Sequence, residues 1–153
     1  MYVDKAIERL NNIDWSHVGK NGQEKDMELG VDFIKRMAIF CKKHNITPKL
    51  PFMTNLPSYF GSCGIGENIL NKCSIEVKEI ITNPSFSNAI VSFYLQACIL
   101  ADQNADYVEC VEVYEPIITL YEQGGYFVYR ERGMSFINSG LIPLTNWLEK
   151  FKE

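Results

Sequence analysis

Histidine is nearly absent from this chain, which has only His17 and His44. Neither stands at HxxxH or HxxE spacing from a second ligand, so a local metal motif is missing. His44 is expected to serve the dipole at a helix end, and His17 to make a loop hydrogen bond. Basic excess is also missing: 15 Lys and Arg stand against 19 Asp and Glu, a net charge of -4. A general nucleic-acid binder needs a basic surface to displace counterions, so DNA and RNA are set aside as partners. No run approaches the ~20 apolar residues of a membrane span, and the longest, around Ala97–Ala101, is far shorter. The amphipathic start MYVDKAIERLNNID lacks the apolar core of a signal peptide. The expected location is therefore the cytoplasm, without a membrane partner.

Five cysteines occur, at 41, 63, 73, 98 and 110, and no two show CxxC spacing. Cys41, Cys98 and Cys110 fall within apolar helical stripes, where a free thiol acts as a small hydrophobe. An odd number of unpatterned cysteines suits a reducing compartment. GSCGIGEN (Gly61 to Asn68) has the look of a phosphate loop. However, Glu67 and Asn68 stand where the Walker pattern requires Lys and Ser or Thr, and no strand precedes it as a dinucleotide fold demands. Cys63, near a helix N-terminus, is the one candidate nucleophile. Its alternative reading is a harmless thiol in a turn. No cofactor is implied.

At 153 residues, 46% hydrophobic and 22% charged, the chain fits one globular domain spanning 1–153 with a sizeable core. Periodicity predicts a first helix over Tyr2 to Ile13, on Val3, Ala6, Ile7 and Leu10. A loop follows from Asp14 to Lys25, pinned to the core by Trp15 and Val18. A second helix runs from about Asp26 to His44. The next stretch, ITPKLPFMTNLPSYFGSCGIG, holds Pro48, Pro51 and Pro57, which forbid a regular helix. It reads either as a functional loop or as a crossover between helical pairs. A third helix is expected from Glu67 to Thr82, and a fourth, capped by Ser85 or Ser87, to about Asp102. The fourth is apolar nearly all round and belongs at the centre, although Ala89–Leu95 also fits a strand.

The stretch from Asp106 to Gly125, DYVECVEVYEPIITLYEQGG, organises the rest. At roughly 100° per residue, Tyr107, Cys110, Val111, Tyr114, Ile117, Ile118 and Tyr121 share one side. Glu109, Glu112 and Glu115 share the other. Pro116 implies a kink or a new start, and Gly124-Gly125 closes the helix. Tyr126 to Arg130 and Met134 to Asn138 then alternate as a β-hairpin turning near Glu131 to Gly133. A last helix covers Leu141 to Lys152. The fold class is mainly α: a single-domain helical bundle of about five to six helices with a small C-terminal β-hairpin.

The three glutamates form either a solvated face or a surface that meets a basic partner. They cannot make a di-metal site alone, because such bundles add ExxH pairs and none is present. Tyr126, Phe127, Tyr129 and Phe136 are more aromatics than one hairpin face buries, and exposed aromatics are favoured interface anchors. Packing on the helices is the other outcome.

VYEPIITLYEQGGYFVYRERGMSFINSGLIPLTNWLEKF resembles the ends of small bacterial immunity proteins, encoded beside polymorphic or contact-dependent growth-inhibition toxins. The likeness covers about Tyr114 to Phe151: a helix, Gly124-Gly125, an aromatic hairpin, and Pro143 to Trp147. It brings no defined motif, so no residue role is carried over. The resemblance implies a non-enzyme that binds and neutralises one cognate protein toxin domain by occluding its active site. On that reading Glu109, Glu112 and Glu115, with Tyr126 and Tyr129 as anchors, meet a basic toxin such as a nuclease. The alternatives are a non-catalytic regulatory binding module and a small enzyme using Cys63.

Overall fold

The computed structural model describes residues 1–17, 23–25, 32–33, 36, 39–40, 43–44, 65–82 and 86–127. Among them the protein is mainly α, in the chain order α1 (Tyr2–Asn11), β1 (Gln23–Lys25), α2 (Glu67–Leu70), α3 (Ile75–Thr82), α4 (Phe86–Gln103), α5 (Val108–Glu122) and β2 (Gly125–Phe127). Single 3₁₀ turns lie at Trp15–His17 and Ala105–Tyr107. Asp32, Phe33, Arg36, Ile39, Phe40 and Lys43 are also helical, at the spacing expected for the second helix.

α4 is the centre. Ile90, Val91, Phe93, Tyr94, Leu95, Ala97, Cys98, Leu100 and Ala101 are all buried, and the helix packs against α1, α3 and α5. The all-round apolar pattern thus forms a buried helix, and the strand reading of Ala89–Leu95 fails. α5 buries Cys110, Val111, Tyr114, Ile117, Ile118 and Tyr121, the stripe set by helical spacing, together with Val113. Each large apolar side chain fully withdrawn from water contributes about 1.5–3 kcal/mol before chain entropy is counted.

Two long-range contacts fix α1 on this centre. The Asp102 carboxylate, at the end of α4, accepts from the Tyr2 and Val3 backbone N–H groups at 2.7 and 3.1 Å. It satisfies orphan donors of the first turn and places negative charge at the positive end of the helix. Past the other end of α1, Trp15 is buried, donates from Nε1 to the Leu10 carbonyl at 3.0 Å, and packs on Tyr121 with ring centroids 5.3 Å apart. Trp15 therefore pins the loop, as its position suggested. Val18 lies outside the described residues.

Three expectations are corrected. The helix expected over Glu67 to Thr82 is two helices, broken at residues 71–74. Asn11 of α1 causes the break: its Nδ2 donates to the Lys72 carbonyl at 3.0 Å and its Oδ1 accepts from Ser74 N–H at 2.8 Å. Ser74 then starts α3, its Oγ accepting from Val77 N–H at 3.3 Å, as an N-cap does. The loop expected over residues 14–25 contains β1. β1 pairs in parallel with β2, in the register Gln23↔Gly125, Glu24↔Tyr126, Lys25↔Phe127. A parallel pair needs a long crossover, and the helices between the two strands supply it. Of the two readings of Pro116 the new start fails, because the helix runs through it to Glu122. Gly124, at φ +87°, then turns the chain into β2, a left-handed conformation that glycine adopts without strain. The second hairpin strand, the last helix and residues 46–64 of the Pro-rich stretch lie outside the described residues.

Candidate functional site

The acidic side of α5 divides into three environments. Toward its C-terminal end, Arg9 of α1 reaches across the bundle. Arg9 Nη1 lies 2.5 Å from Glu115 Oε2, Nε is 2.7 Å from Glu122 Oε2, and Nη2 is 2.9 Å from Glu122 Oε1. Arg9 Nη2 also donates to Thr119 Oγ1 at 3.1 Å, and Nη1 to the Tyr94 hydroxyl at 3.5 Å. The guanidinium thus grips Glu122 with two nitrogens and adds Glu115, the fork geometry that makes Arg–carboxylate pairs strong. Hydrogen bonding to Glu122, against the cost of burial and with Glu115 adding to it, raises the Arg9 pKa further above its ordinary value. Glu115 is therefore an internal clamp residue rather than part of a free acidic face.

At the other end of the helix Glu109 Oε1 accepts from Lys43 Nζ at 2.6 Å. That lysine belongs to the second helical segment, whose ring residues pack on the start of α5. The His44 ring lies 4.4 Å from Phe40 and stacks on Tyr107 at 5.5 Å and 16°. The backbone N–H of this histidine donates to the Phe40 carbonyl at 3.1 Å, and its ring sits in the aromatic stack.

Glu112 lies between these pairs. It is exposed, and no ion pair reaches it among the described residues. It lines a shallow groove of about 150 Å³ with Arg36, Ile39, Phe40, Glu109 and Val113. Phe40 and Val113 are buried, whereas Ile39 is 51% exposed. Arg36 is held by Asp32 at 2.9 Å, one helical turn away.

The aromatic anchors do not join this surface. Tyr126 is buried in the core cluster at 7% exposure, so it cannot act as an exposed anchor. Its backbone belongs to β2, which faces the core on the side of α5. Tyr129 lies outside the described residues. The structure therefore places Glu109 and Glu112 on one surface, takes Glu115 and Tyr126 out of it, and adds Ile39 and Arg36, which sequence reasoning did not single out. Helical spacing puts Ile39 on the side of Asp32, Arg36 and Lys43, off the apolar stripe, and that is the signal that could have marked it as facing water.

Catalytic chemistry finds little to work with among the described residues. Cys73, Cys98 and Cys110 are buried. Burial raises the Cys73 thiol and pushes the Cys98 thiol up to about 12, the reverse of what a nucleophile needs. Burial also raises the Tyr94 hydroxyl beside it. Cys63 lies outside the described residues. No group of three or more His, Cys, Asp or Glu among them is placed to hold a metal. A second cleft, about 380 Å³, is lined by Asp4, Ile7, Glu8, Asn11, Asn12 and Lys72. It is open and mostly polar, unlike the apolar enclosures that take small molecules. No helix of the described residues is long and apolar enough to cross a membrane.

No family model matches the chain, and neither a curated protein nor a solved structure does.

Proposed function

We propose that this chain is an immunity-type protein, which binds one protein toxin domain and neutralises it without catalysis by covering its active site. One observation carries the reading: Glu112 stands exposed, with no ion pair among the described residues, on α5, a helix anchored by its buried stripe, beside the exposed Ile39. A carboxylate on a rigid support steers a basic partner and fixes its register, and an apolar neighbour adds contact area that excludes water. The net charge of -4 favours the same class of partner. Glu109 borders the surface and supports it through its pair with Lys43.

The test is recovery of the tagged chain from its native cells, with bound proteins identified by mass spectrometry, followed by a neutralisation assay on the recovered partner. A stoichiometric partner carrying a basic toxin domain, whose toxicity the chain suppresses, is the expected outcome. Glu112→Lys should weaken that complex while leaving the circular dichroism spectrum unchanged. Recovery of a host regulatory complex, with no toxin neutralised, would sink the immunity reading.

A further inference from the structure

Glu112 is distinguished by its backbone as well as its side chain. In an α-helix its carbonyl accepts from the N–H of residue 116. Pro116 has no N–H, so this carbonyl lacks its helical donor. One residue on the exposed side of α5 thus carries a carboxylate that no ion pair reaches among the described residues and a carbonyl deprived of its usual helical partner. Among the described residues the nearby cations are engaged elsewhere, Arg36 by Asp32 at 2.9 Å and Lys43 by Glu109 at 2.6 Å. Beside these acceptors the groove offers Ile39 as an apolar wall over buried Phe40 and Val113. Its volume of about 150 Å³ suits one side chain, since pockets for small molecules run to roughly 300–1,000 Å³.

Resting on the reading of the chain as a protein binder, we infer that this groove receives a single arginine side chain from the partner, its guanidinium on Glu112 and its stem against Ile39. The chemistry favours arginine over lysine. A guanidinium presents five donors in a planar fork, is weakly hydrated, and packs on apolar surface through its stem. An ammonium is a compact, strongly hydrated point charge that gains less from a half-apolar groove.

The probe is a capped leucine–arginine–leucine tripeptide, titrated into the full ¹⁵N-labelled chain, with lysine and glutamate versions as controls. The arginine peptide should shift the amide signals of Ile39, Glu112 and Val113, the lysine peptide should shift them less, and the glutamate peptide not at all. Glu112→Gln should weaken the response about fivefold, the upper range for an exposed ion pair. Pro116→Ala returns a donor to the Glu112 carbonyl and should weaken binding with the carboxylate intact, which a purely electrostatic attraction would not do. Shifts centred on Glu76 and Glu79 of α3, or an unchanged response in Glu112→Gln, would overturn the groove assignment. If the groove fails this test while the chain still neutralises its toxin, only the arginine site is wrong. A groove that binds the arginine peptide in a chain that neutralises no toxin leaves the site standing and removes the immunity reading.

Discussion

Replacing Arg9 with methionine tests how α1 is held to the bundle. Methionine keeps much of the apolar stem and removes the guanidinium, so packing changes less than charge. Arg9 makes two ion pairs, with Glu115 and Glu122, and two weaker bonds to Thr119 and Tyr94. Exposed pairs contribute 0.2–1 kcal/mol each, whereas removing one partner of a buried pair costs about 3–5 kcal/mol. The Arg9 side chain is 25% exposed, and those of Glu115 and Glu122 are 42% and 36% exposed. This environment is closer to the exposed limit, so the expected loss is about 2 kcal/mol for the set. In a chain of this size that lowers Tm by roughly 4–8 °C. Urea unfolding of the wild type and of R9M, E115Q and their double variant should give a coupling between the two sites of ~0.5–1 kcal/mol. The deficit of R9M should shrink in 1 M salt, where the Debye length is about 3 Å. Stability of R9M within 0.5 kcal/mol of wild type would refute the clamp and return Glu115 to the solvated face.

Further outcomes follow from the same contacts. Asp102→Ala should cost about 1–2 kcal/mol by uncapping α1 and should speed hydrogen exchange at the Tyr2 and Val3 amides. Asn11→Ala removes both bonds that hold the break between α2 and α3 and should cost a further ~1–2 kcal/mol in urea unfolding. Cys98, whose thiol pKa is raised from 9.0 to about 12, supports the folded state fully below pH 9, where the thiol is neutral in both states. Above pH 9 the unfolded chain ionises first and folding loses about 1.4 kcal/mol per pH unit from this group until about pH 12. The alkaline limb of a stability–pH curve should therefore flatten in Cys98→Ala. Pro116→Ala should stabilise α5 by ~1–3 kcal/mol in thermal unfolding, because it restores the missing helical bond.

The main helices were legible because each carries its instructions locally. α5 buries the stripe that a 3.6-residue period marks out, and α4 is buried on most sides because it is apolar on most sides. The misreadings depend on distant partners. The pattern from Glu67 to Thr82 is continuous, yet Asn11, more than 60 residues earlier, holds the turn that divides it. A local sign was present in Ser74, an N-capping residue, but it sits inside an apolar run that reads more simply as one helix. β1 is three residues, Gln-Glu-Lys, with no alternation to read. It is a strand because β2 lies beside it, and each partner in β2 comes 102 residues later in the register.

The acidic side of α5 shows the same limit at the level of function. Helical spacing establishes that Glu109, Glu112 and Glu115 point away from the core stripe, but it cannot show what faces them. Glu115 faces an arginine 106 residues away and Glu109 a lysine 66 residues away. Both serve contacts between segments of one chain, which is what a charged helix face does whenever another helix passes over it. Only subtraction of those pairs isolates Glu112. Its distinction also has a local source, since the proline at position 116 that deprives its carbonyl of a donor was visible in the sequence. Read as a helix breaker, Pro116 suggested a kink or a new start. With α5 continuous through it, the same residue withholds from the Glu112 carbonyl the N–H that an α-helix supplies four residues on.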